Sequence, residues 1–460
     1  MKFVKNKNKN NKNILKNFDL IRIRKMVEKF DAIVIGAGII GACTGFELAK
    51  RGYKVLNVDK LPEAGHGSTS GSCAIIRLHY STPDGVAMAR EGYYYWIDWP
   101  KYLGKVDETG LVKYINTGCL VIKTEKNHYL KKVMTSLDEL NVPYEDYSPQ
   151  ELQKFLSILD TSGFGPPVAP SNERFGRPTG ECIAGAIYVP ESGLISDPKQ
   201  STHNVERAAE AIGGKFMFKA EVTEIRKKNN RVAGITLKNG DEIDAPVVIN
   251  VAGPHSFIIN RMAGVEDDMN IRTRPLRQEV CHVAAPEGFD YNNLGTIISD
   301  GDIGCYSRPE VGNNILVGSE DPECDTMEYI DDPDNYNTNF TEQWTTQVLR
   351  EAQRIKGLRI PRQPSGLVDL YDCSDDWIPI YDRSSLNGFY MAVGTSGNQF
   401  KNAPVVGALM AELIKAVESG HDHDKDPVHF KMKYTKRKCN IGFYSRLRKI
   451  NPNSSFSVIG

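Results

Sequence analysis

The hydrophobic pattern of this chain switches period several times, and the first switches lie closest together. Ala32 to Ile35 is an unbroken apolar run that reads as a buried strand. Ile39 to Arg51 has helical spacing with Gly52 just past its end, and Lys54 to Val58 is a second buried strand. A strand-rich block comes next at Tyr114 to Lys123, then a mostly helical stretch to about Phe164 that contains LKKVMTSLDEL. Pro166, Pro167 and Pro170 mark a loop. Ala186 to Pro198 leads into a helix over Lys199 to Ile212, which Gly213-Gly214 ends. Phe216 to Ile225 and Arg231 to Leu237 then alternate as strands around the hairpin signal Asn239-Gly240. Buried strands interleaved with helices predict an α/β chain.

The turn after the first strand carries chemistry. Gly36, Gly38 and Gly41 stand in G-x-G-x-x-G spacing immediately behind it. Gly36 makes the tight turn, Gly38 lets the backbone approach a pyrophosphate, and Gly41 lets the helix pack on the strand. The phosphates rest on free N–H groups at the helix start, where the dipole favours negative charge. Asp59 ends the second strand 23 positions after Gly36, close to the spacing at which a carboxylate binds a ribose. Ile40 within the turn and Lys60 beside the acid complete this end of the site. Together these elements predict an adenine dinucleotide with a free ribose 2′-hydroxyl, which fits NAD and FAD alike.

Composition narrows the class. A chain of 460 residues with 40% hydrophobic residues can bury a large core, and its length favours two interleaved domains. Nine cysteines, scattered and without a C-x-x-C pair, read as reduced thiols of a cytoplasmic protein, with neither a disulfide frame nor a metal site expected. No apolar run reaches the length of a membrane span. Met1 to Lys29 holds ten Lys or Arg against two acids; without its net +8 the body carries about −9, which gives no sign of a nucleic-acid surface. That extension reads as disordered, with Met26 as an alternative start, or as a targeting signal. The basic segment Lys431 to Lys449 reads as a solvated terminus.

The segment behind the second strand separates the two cofactors. Gly65 to Tyr80 reads GHGSTSGSCAIIRLHY, a small-residue loop expected to run into a helix carrying a basic residue. Here the chain resembles the FAD-dependent amine oxidoreductases of the D-amino-acid oxidase and sarcosine oxidase family. In that family the second strand leads into a G-S-x-x-x-G loop along the flavin and then an I-I-R stretch. Val247 to Gly264, VVINVAGPHSFIINRMAG, is similar to the family's apolar strand and the A-G turn near the cofactor. Gly304 to Gly318, GCYSRPEVGNNILVG, is similar to a hairpin of the substrate domain, and Gly394 to Ala403, GTSGNQFKNA, to the S-G-H-G-F-K loop beside the flavin ring. The resemblance covers Phe30 to about Ser419.

It implies a Rossmann-like FAD-binding domain, a parallel sheet with helices, plus an interleaved substrate domain with a largely antiparallel sheet. The expected division is a basic extension over 1–29, FAD-binding parts at 30–110, 181–265 and 361–420, substrate parts at 111–180 and 266–360, and a tail at 421–460. Gly67, Ser68, Thr69 and Ser70 would lie along the flavin, Ala252 and Gly253 near it, and Gly397 and Gln399 beside its ring. Val222 would either offer its backbone to adenine or be a plain strand residue. Arg77 and Lys401 match the family's carboxylate-binding cations, and the planar arginine fork suits that task.

Tyr306 would either pack near the ring or fill the sheet. Ser307 and Glu320 replace a tyrosine and a histidine of the sarcosine enzymes, and Glu320 would either pair with a cationic substrate group or be an exposed loop acid. His66, His79 and His255 are expected to be loop or packing residues, because hydride transfer from a neutral amine needs little beyond loss of one proton. The cysteine that tethers flavin in the monomeric oxidases would fall near Val368, which implies non-covalent FAD. Their oxygen-activating lysine would fall near Leu316, which favours a dehydrogenase delivering electrons to a carrier protein or quinone. The implied reaction is oxidation of an N-methyl glycine such as sarcosine or dimethylglycine to an imine, by the chain alone or beside companion subunits. A D-amino-acid or glycine oxidase releasing hydrogen peroxide is the alternative, and a non-catalytic flavin-holding subunit is another.

Overall fold

In the computed structural model the described residues are 29–459, apart from 106 and 290–294. The basic extension lies outside them except for Lys29. Among the described residues a six-stranded sheet runs in the order Ile380–Arg383, Phe389–Val393, Val247–Asn250, Ala32–Ile35, Val55–Val58 and Lys215–Met217. All neighbours are parallel except the first pair. Ala32–Ile35 is central and wholly buried, which explains an unbroken apolar run where a half-exposed strand would alternate. Helix Ile39–Lys50 covers one face, and helix Ala403–Glu418 lies against it. Their contact is close enough that a Cβ at Gly407 would stand 2.5 Å from the Cys43 carbonyl oxygen.

The other face is covered by a three-stranded antiparallel sheet of Val222–Lys228, Arg231–Leu237 and Glu242–Asp244. This differs from the expected pairing. The run Phe216 to Ile225 divides, because Lys215–Met217 joins the parallel sheet beside Val55–Val58. The hairpin turns at Asn229-Asn230, both with positive φ, whereas Asn239-Gly240 leads into the third strand.

The second large sheet has eight strands, in the order Gly366–Ser374, Thr273–Ala284, Asn314–Ser319, Cys305–Glu310, Ile297–Asp300, Cys119–Ile122, Ala186–Val189 and Glu145–Tyr147. Its pairs are antiparallel except where Ile297–Asp300 meets Cys119–Ile122. A parallel-sheet layer with helices and a largely antiparallel sheet are thus both present, as expected.

Two local expectations are corrected. No helix carries Arg77: Ile75–Ile76 is a short strand paired with Gly193–Ile195, as suits β-branched residues. The helix begins only at Pro83, where Thr82 caps Gly85 and proline occupies the first turn. The segment Lys431 to Lys449 is no solvated terminus either. Phe430, Met432, Ile441 and Tyr444 join the main hydrophobic cluster. Arg446 is buried against Asp382, Asp268 and Asp424, and Arg448 against Asp376. The segment is basic as its composition says, but the partners of its arginines are acids distant in sequence that no local pattern reveals.

Candidate active site

A cleft of about 620 Å³ runs between the two large sheets, starting at the glycine turn. Gly36 has φ +113°, and a Cβ there would stand 2.2 Å from the Val251 carbonyl oxygen, so only glycine fits. Thr69 stitches the small-residue loop to the helix start, its Oγ1 accepting from Ile39 N at 3.1 Å. Gly38 at the N-cap offers no side chain and Thr69 takes only the Ile39 N–H, which leaves the rest of the first turn to an anion. Asp59 is held by the turn it serves: Oδ2 accepts from Ala37 N at 2.7 Å and Oδ1 from Leu61 N at 2.9 Å. Lys60 reaches Asp334 Oδ2 at 2.6 Å and His255 Nε2 at 2.8 Å, so a loop beyond the antiparallel sheet closes over this end.

Every residue expected at the cofactor lines the cleft except Ser70, which is exposed and donates to the Gly67 carbonyl at 2.8 Å. Gln399 is fixed in orientation, its Oε1 accepting from the Tyr381 hydroxyl at 2.9 Å and from Asn402 at 2.7 Å. A bare turn, a largely open helix start, a positioned carboxylate and a long groove continuing to two cations fit a dinucleotide whose second half is large and planar.

Those cations, Arg77 and Lys401, come from opposite ends of the chain and meet across Tyr80. The Arg77 guanidinium lies 4.0 Å from the Tyr80 ring centre, and Lys401 Nζ donates to the Tyr80 hydroxyl and the Asn398 carbonyl, each at 2.8 Å. Burial first, and then Arg77, hold Lys401 well below the usual ammonium range. Arg77 donates to three main-chain carbonyls: His79, Val458 at 2.8 Å and Ile459 at 2.6 Å. Val458 and Ile459 therefore form part of the cleft wall. Nothing in the sequence signalled this.

Tyr306 lines the cleft, its hydroxyl 3.5 Å from Cys73 Sγ, and its ring covers Gly318, where a Cβ would approach within 2.4 Å. Ser307 alternates to the other side of that strand and does not line the cleft. Glu320 is not an exposed loop acid. It is buried behind Ser299, whose Oγ donates to it at 2.6 Å and whose side chain lines the cleft; burial pushes its carboxyl up to about 8. Neither does Leu316 line the cleft; it pairs across the sheet with Arg308, a buried cation whose Nε has no partner. Val368 and Asp369 line the cleft, whereas Cys373 does not.

His66, His79 and His255 all line the cleft, and His66 and His79 lie outside helices and strands. His79 stands two positions after Arg77, a spacing that was visible in the sequence and whose meaning was not. Asp334 and the Val458-Ile459 segment had no such signal. Among the described residues no helix is long and apolar enough to cross a membrane.

Comparisons with known proteins agree with this geometry. The family model described as FAD dependent oxidoreductase matches residues 31–413. The sarcosine oxidase subunit beta of Rhodobacter capsulatus is 24% identical over 84% of this chain and 85% of its own length. The glycine oxidase of Geobacillus kaustophilus is 23% identical over 86% of this chain and 96% of its own. The crystal structure of L-proline dehydrogenase from P. horikoshii superposes with a TM-score of 0.70 at 23% identity, covering 92% of this chain and 98% of that one. With a matched model spanning both sheets and the glycine turn at its start, the chain belongs to the family of FAD-dependent oxidoreductases.

Proposed function

We propose that this protein oxidises a carboxylate-bearing amine, an N-methylated glycine such as sarcosine or dimethylglycine, to an imine that water then hydrolyses. The observation that carries this reading is the convergence of Arg77 and Lys401 at the end of the cleft away from the nucleotide turn. A flavin supplies acceptance of a hydride equivalent from the carbon beside the amine nitrogen; the protein's task is orientation. Arg77 and Lys401 hold the substrate carboxylate, and an anion beside Lys401 favours its charged form. Tyr80 keeps the two cations at a fixed separation. Glu320 stands behind Ser299, accepting from its hydroxyl at 2.6 Å, and holds that side chain at the cleft wall. The relatives are named for sarcosine, glycine and proline, each of which carries its amine nitrogen and its carboxylate on the same carbon.

The FAD is held without a covalent link. The residues at the expected tether position, Val368 and Asp369, carry no thiol, and burial raises the Cys73 thiol, which makes it a poor nucleophile. Acid precipitation is expected to release yellow FAD into the supernatant; colour retained in the pellet contradicts this.

Electrons leave to a carrier protein or quinone, and a companion subunit is a natural recipient, given the likeness to a chain named as subunit beta. A second reading, an oxidase releasing hydrogen peroxide, has one observation in its favour. Arg308 stands directly across the sheet from Leu316, so a buried cation is present beside the position that lacks lysine. The deciding experiment mixes holoprotein with sarcosine, dimethylglycine, glycine, proline and D-alanine, with and without oxygen. Reduction of the flavin by an N-methyl glycine without peroxide release supports the first reading; rapid peroxide formation transfers support to the second. A cytoplasmic location and the division into interleaved FAD-binding and substrate parts belong to this proposal.

A further inference from the structure

We propose that His79 is a specificity-determining substrate ligand, donating a ring N–H to the carboxylate that Arg77 and Lys401 hold; this rests on the proposed oxidation of a carboxylate-bearing amine. His79 is 1% exposed, it forms part of the cleft wall, and neither ring nitrogen has a partner among the described residues. Buried polar atoms are overwhelmingly paired, so an imidazole with two orphan nitrogens at a cavity wall points to a bond completed by something that enters the cavity. Its surroundings identify the chemistry of that visitor. Arg77 lies two residues away and is bonded to the His79 carbonyl, and Lys401 donates to the hydroxyl of the adjacent Tyr80 at 2.8 Å.

Burial first, then Arg77 and Lys401, hold the ring well below its usual range, which keeps it neutral. A neutral imidazole offers one donor and one acceptor nitrogen. Beside two cations the arriving group is an anion, and the donor nitrogen is the one that serves it. The three groups then share the work: Arg77 supplies fixed charge, Lys401 supplies charge that returns with the anion, and His79 supplies direction.

The test uses three forms of the holoprotein. His79→Phe keeps the ring volume and removes both polar atoms; His79→Asn returns a side-chain N–H. Each is titrated with acetate, a carboxylate without an amine, monitored by the change in flavin absorbance, and each is assayed with the amine that the wild type oxidises. Loss of one hydrogen bond to a charged group predicts that His79→Phe weakens acetate binding and raises KM about ten-fold or more, with kcat and flavin content little changed. His79→Asn is expected to recover part of the loss, and dimethylamine, which lacks the carboxylate, to bind wild type and variant alike. Acetate affinity and KM that stay unchanged overturn the inference, as does an effect confined to flavin retention. Should His79→Phe fail to fold, His79→Ala with added imidazole decides: restored acetate binding supports the proposal, and no restoration overturns it. A wild type reduced by no carboxylate-bearing amine sinks the functional reading itself, whereas normal turnover with an indifferent His79→Phe sinks only the assignment of His79.

Discussion

Arg77→Met separates two tasks of one guanidinium, the proposed hold on a substrate carboxylate and the bonds it makes to main-chain carbonyls. The first is binding: a hydrogen bond between charged groups contributes about 1.5–3 kcal/mol, so its loss raises KM for the amine substrate about 10- to 150-fold. The second is structural. The guanidinium satisfies the carbonyls of His79, Val458 and Ile459, and methionine offers them no donor. A buried polar group left unsatisfied costs about 1–3 kcal/mol, so the variant is also expected to lose several kcal/mol of stability. Arg77→Lys restores charge without the fork and cannot span all three carbonyls, so it should fall between wild type and methionine on both scales. The assay is steady-state kinetics alongside urea denaturation and flavin content, at a temperature where each variant is fully folded. A folded, yellow Arg77→Met with unchanged KM refutes the reasoning and leaves Arg77 as a staple for the final residues alone.

Particular contacts set three further outcomes. Gly36→Ala places a Cβ 2.2 Å from the Val251 carbonyl at a φ of +113°, so the protein should purify with little FAD; full flavin occupancy argues against the turn as the diphosphate site. Glu320 is held near 8 in the folded protein against 4.5 otherwise, so the native state keeps a proton that the unfolded chain loses. Its contribution to stability therefore falls as pH rises from about 4.5 to 8, by up to about 1.4 kcal/mol per pH unit, and Glu320→Gln should gain on wild type across that window in urea midpoints. A difference independent of pH contradicts the buried carboxyl. Arg446→Met removes the cation facing Asp382, which is wholly buried and keeps main-chain N–H and hydroxyl donors, and breaking such a pair costs about 3–5 kcal/mol, visible as a lower urea midpoint; a midpoint equal to wild type would return this segment to the solvated terminus that its composition implies.

The parts of this fold that were legible in the sequence are those encoded by neighbours. Gly36, Gly38 and Gly41 sit in one turn, Asp59 ends the adjacent strand, and a strand buried on both faces announces itself by composition alone. Arg77 and Lys401 were legible only through resemblance, because 324 residues separate them and no local rule joins them. Lys215–Met217 escaped because apolar alternation does not say which sheet a strand joins. The C-terminal segment defeats a local reading for a related reason. Lys and Arg in a row ordinarily mean solvent, and here Arg446 and Arg448 are consumed by acids from positions 268 to 424. Glu320 looked like a loop acid because Asp321, Glu323 and Asp325 surround it, yet the strand Asn314–Ser319 delivers it behind Ser299.

On the proposed reading, the cleft brings a bound flavin together with an amine anchored through its carboxylate. Anaerobic titration of the purified yellow protein with sarcosine, set against dimethylamine, tests it most directly. The yellow absorbance is expected to bleach with sarcosine or another carboxylate-bearing amine and to persist with dimethylamine. Colour that survives every amine bearing a carboxylate, or that dimethylamine removes equally well, contradicts it.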